Sequence, residues 1–133
     1  MKRFICAVLC LCILLTGIIG ITAAFADVPV IITTSTIGVN TQANGLTVRA
    51  NVPGAPAKSG YYSFAIIKLT IKFKHGYGQP NVGQEYTKTN TKSQNGGWGQ
   101  GTGNVLVSVK RISDRDPVMS AKADRTFQYY GIR

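Results

Sequence analysis

One histidine and five acids, His75, Asp27, Glu85, Asp114, Asp116 and Asp124, carry most of the near-neutral proton chemistry open to this 133-residue chain. A hydrolase needs a nucleophile beside a base, or a pair of carboxylates. His75 sits in the run Lys74-His75-Gly76-Tyr77-Gly78, a cationic neighbourhood that suits a general base poorly. Asp114 and Asp116 share one face of an extended segment, but Ser113, Arg115 and Pro117 around them give the composition of a polar turn. A glycan hydrolase built on Asp114, Asp116 or Glu85 is one alternative reading; the expectation is a protein that is not an enzyme.

No metal or cofactor is expected either. Zinc asks for clustered His, Cys or carboxylate ligands, and calcium for several oxygens on one loop. The three cysteines, Cys6, Cys10 and Cys12, all fall near the start of the chain. Gly97-Trp98-Gly99-Gln100-Gly101 is glycine-rich, but no helix signal follows it to supply the positive terminus that phosphate cradles use.

Binding chemistry is better represented. Side chains two apart on a strand point the same way, about 7 Å from one another. Lys68, Lys72 and Lys74 would therefore form a cationic stripe with Thr70 between them, able to track a repeating anionic polymer. Such a row also serves as the solvent face of an amphipathic strand, where lysine discourages edge-to-edge pairing. A second candidate is the stretch 76–103, expected to be a long loop, with eight glycines, Tyr77, Tyr86, Lys88, Lys92 and Trp98. Long loops in small domains are often functional, and a tryptophan among glycines offers a flat face to a sugar or a lipid interface. The candidate ligand-binding residues are thus Lys68, Lys72, Lys74, His75, Tyr77, Lys88, Lys92 and Trp98.

The elements that must hold these residues read as strands. Leu46, Val48, Ala50 and Val52 alternate with Thr47, Arg49 and Asn51. Val28, Val30 and Ile32 open an N-terminal strand, expected to form a hairpin with the next one through Asn44-Gly45. Pro53-Gly54-Ala55-Pro56 breaks this pair from the longest signal, Tyr61 to Lys74. Ile67, Leu69, Ile71 and Phe73 lie on one face of that signal. Tyr62, Phe64 and Ile66 fall out of phase with them, which implies burial on both faces or a bulge. Val105, Val107 and Val109 mark another strand. The last puts Met119, Ala121, Ala123, Phe127 and Tyr129 on one face and Ser120, Lys122, Asp124, Thr126 and Gln128 on the other. Five to seven short antiparallel strands predict an all-β domain, a small β-sandwich of immunoglobulin-like or similar form.

Residues 1–26 read as a helical secretory signal. Lys2 and Arg3 precede an apolar run from Phe4 to Ile21, and Ala24-Phe25-Ala26 supplies the small-residue cleavage pattern. A retained membrane anchor is the other reading of so long an apolar run. Cleavage leaves a cysteine-free single domain, 27–133, with thirteen Lys and Arg against five acids and a net charge of +8. That imbalance favours anionic partners such as wall polymers, acidic glycans or lipid head groups, with no specific nucleic acid expected, and it also aids solubility.

His75-Gly76-Tyr77-Gly78 and the Tyr129-Tyr130 ending resemble short pieces of the secreted lactococcin-type sandwich bacteriocins, a family from which the length of this chain and the placement of the first motif depart. The resemblance implies a bacteriocin-like, antimicrobial effector as another alternative. The leading expectation is a secreted or cell-surface, basic, non-enzymatic protein that binds an anionic polymer or a membrane or cell-wall surface. Pairing through an exposed strand edge is a further alternative.

Overall fold

The computed structural model describes residues 29–131, so the expected signal segment and the three cysteines lie outside the described residues. No helix among the described residues is long and apolar enough to cross a membrane. The described chain divides into two units. The smaller includes Pro29, Val30, Tyr130 and Gly131, in which the Gly131 N–H donates to the Pro29 carbonyl at 2.7 Å. The larger, Ile31–Tyr129, holds the core.

The described residues are all-β, with seven strands: β1 (Val30–Gly38), β2 (Thr41–Asn44), β3 (Thr47–Val52), β4 (Tyr61–Lys74), β5 (Glu85–Trp98), β6 (Val105–Lys110) and β7 (Val118–Gly131). They form two antiparallel sheets, ordered β1-β7-β4-β5 and β2-β3-β6. Alternation decides which side chains meet. Val48, Ala50 and Val52 of β3 and Val105, Val107 and Val109 of β6 share one buried cluster with Ala65, Ile67, Leu69, Ile71 and Phe73 of β4 and Ala123, Phe127 and Tyr129 of β7. Each fully buried large aliphatic side chain in this cluster contributes roughly 2 kcal/mol relative to an exposed one.

Several expectations need correction. The strand order is not that of a constant-type immunoglobulin domain, where the first two strands are sheet neighbours; here β1 neighbours β7. The N-terminal strand accordingly forms no hairpin with β3. The separate strand β2 does, pairing Asn44 with Thr47 around a Gly45-Leu46 turn in which Gly45 has φ 60°, the positive value that the first central residue of a type II′ turn requires. In β7, Met119 is exposed and Val118 packs on the core instead.

β4 also keeps a single phase. Ser63 and Ala65 continue the buried row from Ile67 to Phe73, while Tyr62, Phe64 and Ile66 lie half-buried on the outer side. The bulge belongs to the partner strand: Ser63 faces Gly97 and Phe64 faces Asn95, which leaves Gly96 as the extra residue of β5. The buried Ser63 hydroxyl is satisfied there, donating to the Gln100 carbonyl at 2.5 Å.

The stretch 76–103 is therefore not one loop, since fourteen of its residues form β5, laddered against β4. Thr, Lys, Asn and Gln dominate the middle of this strand and hide its period from a hydrophobicity reading. Backbone pairing to the apolar β4 is what fixes it in place.

Candidate binding face

Residues directly opposite in an antiparallel pair project to the same side, so the β4–β5 register sorts the candidate residues. Tyr62, Phe64, Ile66, Lys68, Thr70, Lys72 and Lys74 face away from the core, opposite Trp98, Asn95, Ser93, Thr91, Thr89, Thr87 and Glu85. The expected row of Lys68, Lys72 and Lys74 with Thr70 is present on one outer face, with Lys68 and Lys72 exposed and Lys74 half-buried. One carboxylate tempers it. Glu85, across from Lys74, pairs with the Lys72 ammonium at 3.4 Å.

The neighbouring strand β7 adds Lys122, exposed next to the inward Ala123, a cation that alternation turns outward without connecting it to the row. The missing information was sheet order, which alternation along a single strand does not carry.

Lys88 and Lys92 belong elsewhere. They oppose the buried Ile71 and Ile67, and so project from the core-facing side of β5. β5 is the sheet's edge strand, and its inward positions run past the cover of the smaller sheet, leaving Lys88 half-buried and Lys92 exposed. Lys88 lines a cleft of about 420 Å³ with Lys110, Thr47 and Asn90. The Asn90 amide donates to the Ser108 carbonyl at 2.7 Å, tying β5 to β6 there. Inward-pointing charge on an edge strand also guards against pairing with other chains.

The aromatic candidates separate as well. Trp98 is 54% exposed and meets Tyr62 edge to face, with ring centroids 5.5 Å apart. Its partner Tyr62 lies twelve residues from Lys74 along β4, roughly 40 Å at 3.4 Å per residue. Tyr77, 88% exposed, lies in the turn after Lys74, at the other end. The outer face is thus graded along β4 from aromatic and apolar to cationic.

No family model, curated protein or solved structure matches this chain.

His75 and Asp116 belong to a structural cluster. The His75 ring lies 4.9 Å from that of Tyr86, and its Nδ1 is buried without a hydrogen-bond partner among the described residues. Tyr86 also stacks on Phe73 at 5.4 Å. Asp116 is completely buried. Its carboxylate accepts hydrogen bonds from the backbone N–H of Gly76 (3.0 Å) and Ser113 (3.2 Å), the Gln79 side-chain amide (2.5 Å) and the Tyr86 hydroxyl. Burial pushes this carboxyl up, but the four donors outweigh burial and hold its pKa at about 2. Burial, followed by the bond to Asp116, raises the pKa of Tyr86. The anion is fully engaged in joining the start of β5 to the turns that begin at Gly76 and Ser113, and no acceptor site is left open to a substrate.

Proposed function

We propose that this chain is an exported, basic, non-enzymatic binding protein, folded as a β-sandwich, that holds an anionic polymer of the cell envelope against the outer face of its four-stranded sheet. One observation carries the reading: Lys68, Lys72 and Lys74 stand on a single outward row of β4 with Thr70 between them. A regular cationic row of this kind matches a chain of repeating negative charges, and attraction to it falls with ionic strength. Lys122 widens the row, and the exposed Trp98 beside Tyr62 supplies an apolar contact at its far end. The sandwich is supported by one buried cluster drawn from both sheets. A binding role is also favoured over hydrolysis by the burial of Asp116, which withdraws one of the candidate carboxylates from solvent.

The test is retention of the protein on immobilised teichoic acid and on a neutral polysaccharide of similar length, across a salt gradient. Retention on the anionic support alone, lost at high salt and weakened at least about threefold by Lys68→Glu, is expected from reversal of one charge in the row. Equal retention on both supports, or retention indifferent to salt, would overturn the proposal. Leakage of anionic vesicles at matched concentration would transfer the row to a membrane-active effector instead.

A further inference from the structure

The outer face of the smaller sheet carries a second concavity, unconnected to the lysine row. Its volume is about 660 Å³, and Asn40, Gln42, Arg49, Asn51, Pro53 and Leu106 contribute to its lining. The β2–β3 and β3–β6 registers explain the grouping. Gln42 lies directly across from Arg49, and Asn51 across from Leu106, while Arg49 and Asn51 are two apart on β3 and face the same way, opposite to the buried Val48, Ala50 and Val52. The connection from β1 to β2 supplies one wall through Asn40.

Two other arginines of this domain, Arg111 and Arg125, are engaged in internal contacts. Arg111 donates to the Gly45 carbonyl at 2.9 and 3.0 Å and to the Asp116 carbonyl at 2.7 Å. Arg125 donates to Ser35 and Pro53 and lies over the Phe127 ring. Arg49 faces the cleft with no acceptor for its guanidinium among the described residues, and Asn40, Gln42 and Asn51 are likewise without side-chain hydrogen bonds there. A mostly apolar hollow of this size with a few convergent polar groups has the composition of a small-molecule site.

The ligand class follows from the donors. A guanidinium presents a planar fork that matches a carboxylate with two parallel hydrogen bonds. A phosphate, carrying nearly two charges, would call for further cations, and the lining includes no lysine. The three amides offer donors and acceptors to neutral polar substituents, and Leu106 with Pro53 offers an apolar bed. We propose that this cleft binds a small organic monocarboxylate, its carboxylate held by Arg49 and its body laid against Leu106 and Pro53. The two natural sources of that chemistry, a sugar acid and an acylated amino acid, differ in the body that the cleft would have to accept.

Amide-resolved NMR titration of the described domain within the full chain separates these cases, with two matched pairs as probes: glucuronate against glucose, and N-acetylleucine against N-acetylleucinamide. One acid is expected to shift the backbone amides of Gln42, Arg49 and Asn51 saturably below about 10 mM, at least tenfold more tightly than its neutral counterpart. The pair that responds identifies the source. Arg49→Gln should abolish saturation, and Arg49→Lys should weaken it about fivefold through loss of the bidentate geometry, with spectral dispersion preserved in both. Equal response to acid and neutral probe, unchanged binding in Arg49→Gln, or no shift at these amides with either acid would overturn the proposal. Because the readout sits on β2 and β3, it stands or falls apart from retention through the β4 row.

Discussion

The Tyr86 hydroxyl donates to the buried carboxylate of Asp116 while accepting the backbone N–H of Ile112 at 3.0 Å, so one phenol oxygen joins β5 to the segment between β6 and β7. Removing it leaves a buried anion one donor short and a backbone donor without its acceptor. Tyr86→Phe is expected to destabilise the domain by about 2 kcal/mol, and Asp116→Asn by about 3 kcal/mol, because the amide sets its own NH2 against incoming donors. Urea unfolding of both variants and of the double variant should show a lower midpoint at unchanged slope. Their coupling should exceed about 1 kcal/mol, and simple additivity would mean that the contact does not hold the two segments together.

The same carboxylate sets the acid limit of the fold. Its folded-state pKa, about 2, lies below the ordinary value of 3.8, so the group contributes stability that is complete above the unfolded pKa and is lost as pH falls through the folded one. The contribution is about 2 kcal/mol. Stability should be flat with respect to this group above about pH 5 and fall between about pH 4 and pH 2. In Asp116→Asn that part of the slope should vanish, which thermal melts across the range would reveal. An identical acid slope in the variant would assign the transition to other carboxylates.

Why some of this was legible in the sequence and some was not follows from the range of each interaction. The inward row Ile67, Leu69, Ile71 and Phe73 declares itself by local alternation, and the outward lysines come with it. β5 has no such alternation, because its inward residues Lys88, Asn90 and Lys92 reach solvent beyond the smaller sheet; its strand character depends on β4. The Asp116 hub joins positions thirty to forty residues apart, and nothing in Ser113–Pro117 distinguishes a buried anion from a solvated turn. The Arg49 cleft likewise needs the cross-strand neighbours Gln42 and Leu106, which only register supplies.

Gly96 occupies the β5 bulge with no room for a side chain: a Cβ there would lie 2.0 Å from the Ser63 hydroxyl and 2.7 Å from the Gly101 carbonyl. Gly96→Ala should cost about 2 kcal/mol through forced displacement of well-packed atoms. Ser63→Ala in the same chain should recover only part of the loss, since the carbonyl contact remains. Denaturant midpoints of the single and double variants test this, and full stability in Gly96→Ala would show that the bulge relaxes freely.

Leu69 and Thr70 are adjacent on β4 but face opposite sides, the first fully buried and the second half-buried on the outer row. Leu69→Ala removes three carbons from the centre of the cluster and should destabilise by about 3 kcal/mol. Thr70→Ala, on the half-buried outer row, should cost no more than about 1 kcal/mol, the size of a strand-propensity and cross-strand-pair effect. Similar losses in both would contradict the single phase of the strand.

Glu85 provides the sharpest probe of the lysine row, since its carboxylate pairs with Lys72 at 3.4 Å with both side chains about half exposed. A pair so open to water contributes little to folding, and Glu85→Gln should shift stability by less than about 0.5 kcal/mol. Its effect on binding is different in kind. Neutralising the acid paired with Lys72 frees that ammonium to meet a negative charge of the polymer. The variant should elute from an anionic support at higher salt, with the dependence of log affinity on log salt steepened by up to about one. Unchanged elution would place the polymer away from Lys72, and earlier elution would make Glu85 itself a contact.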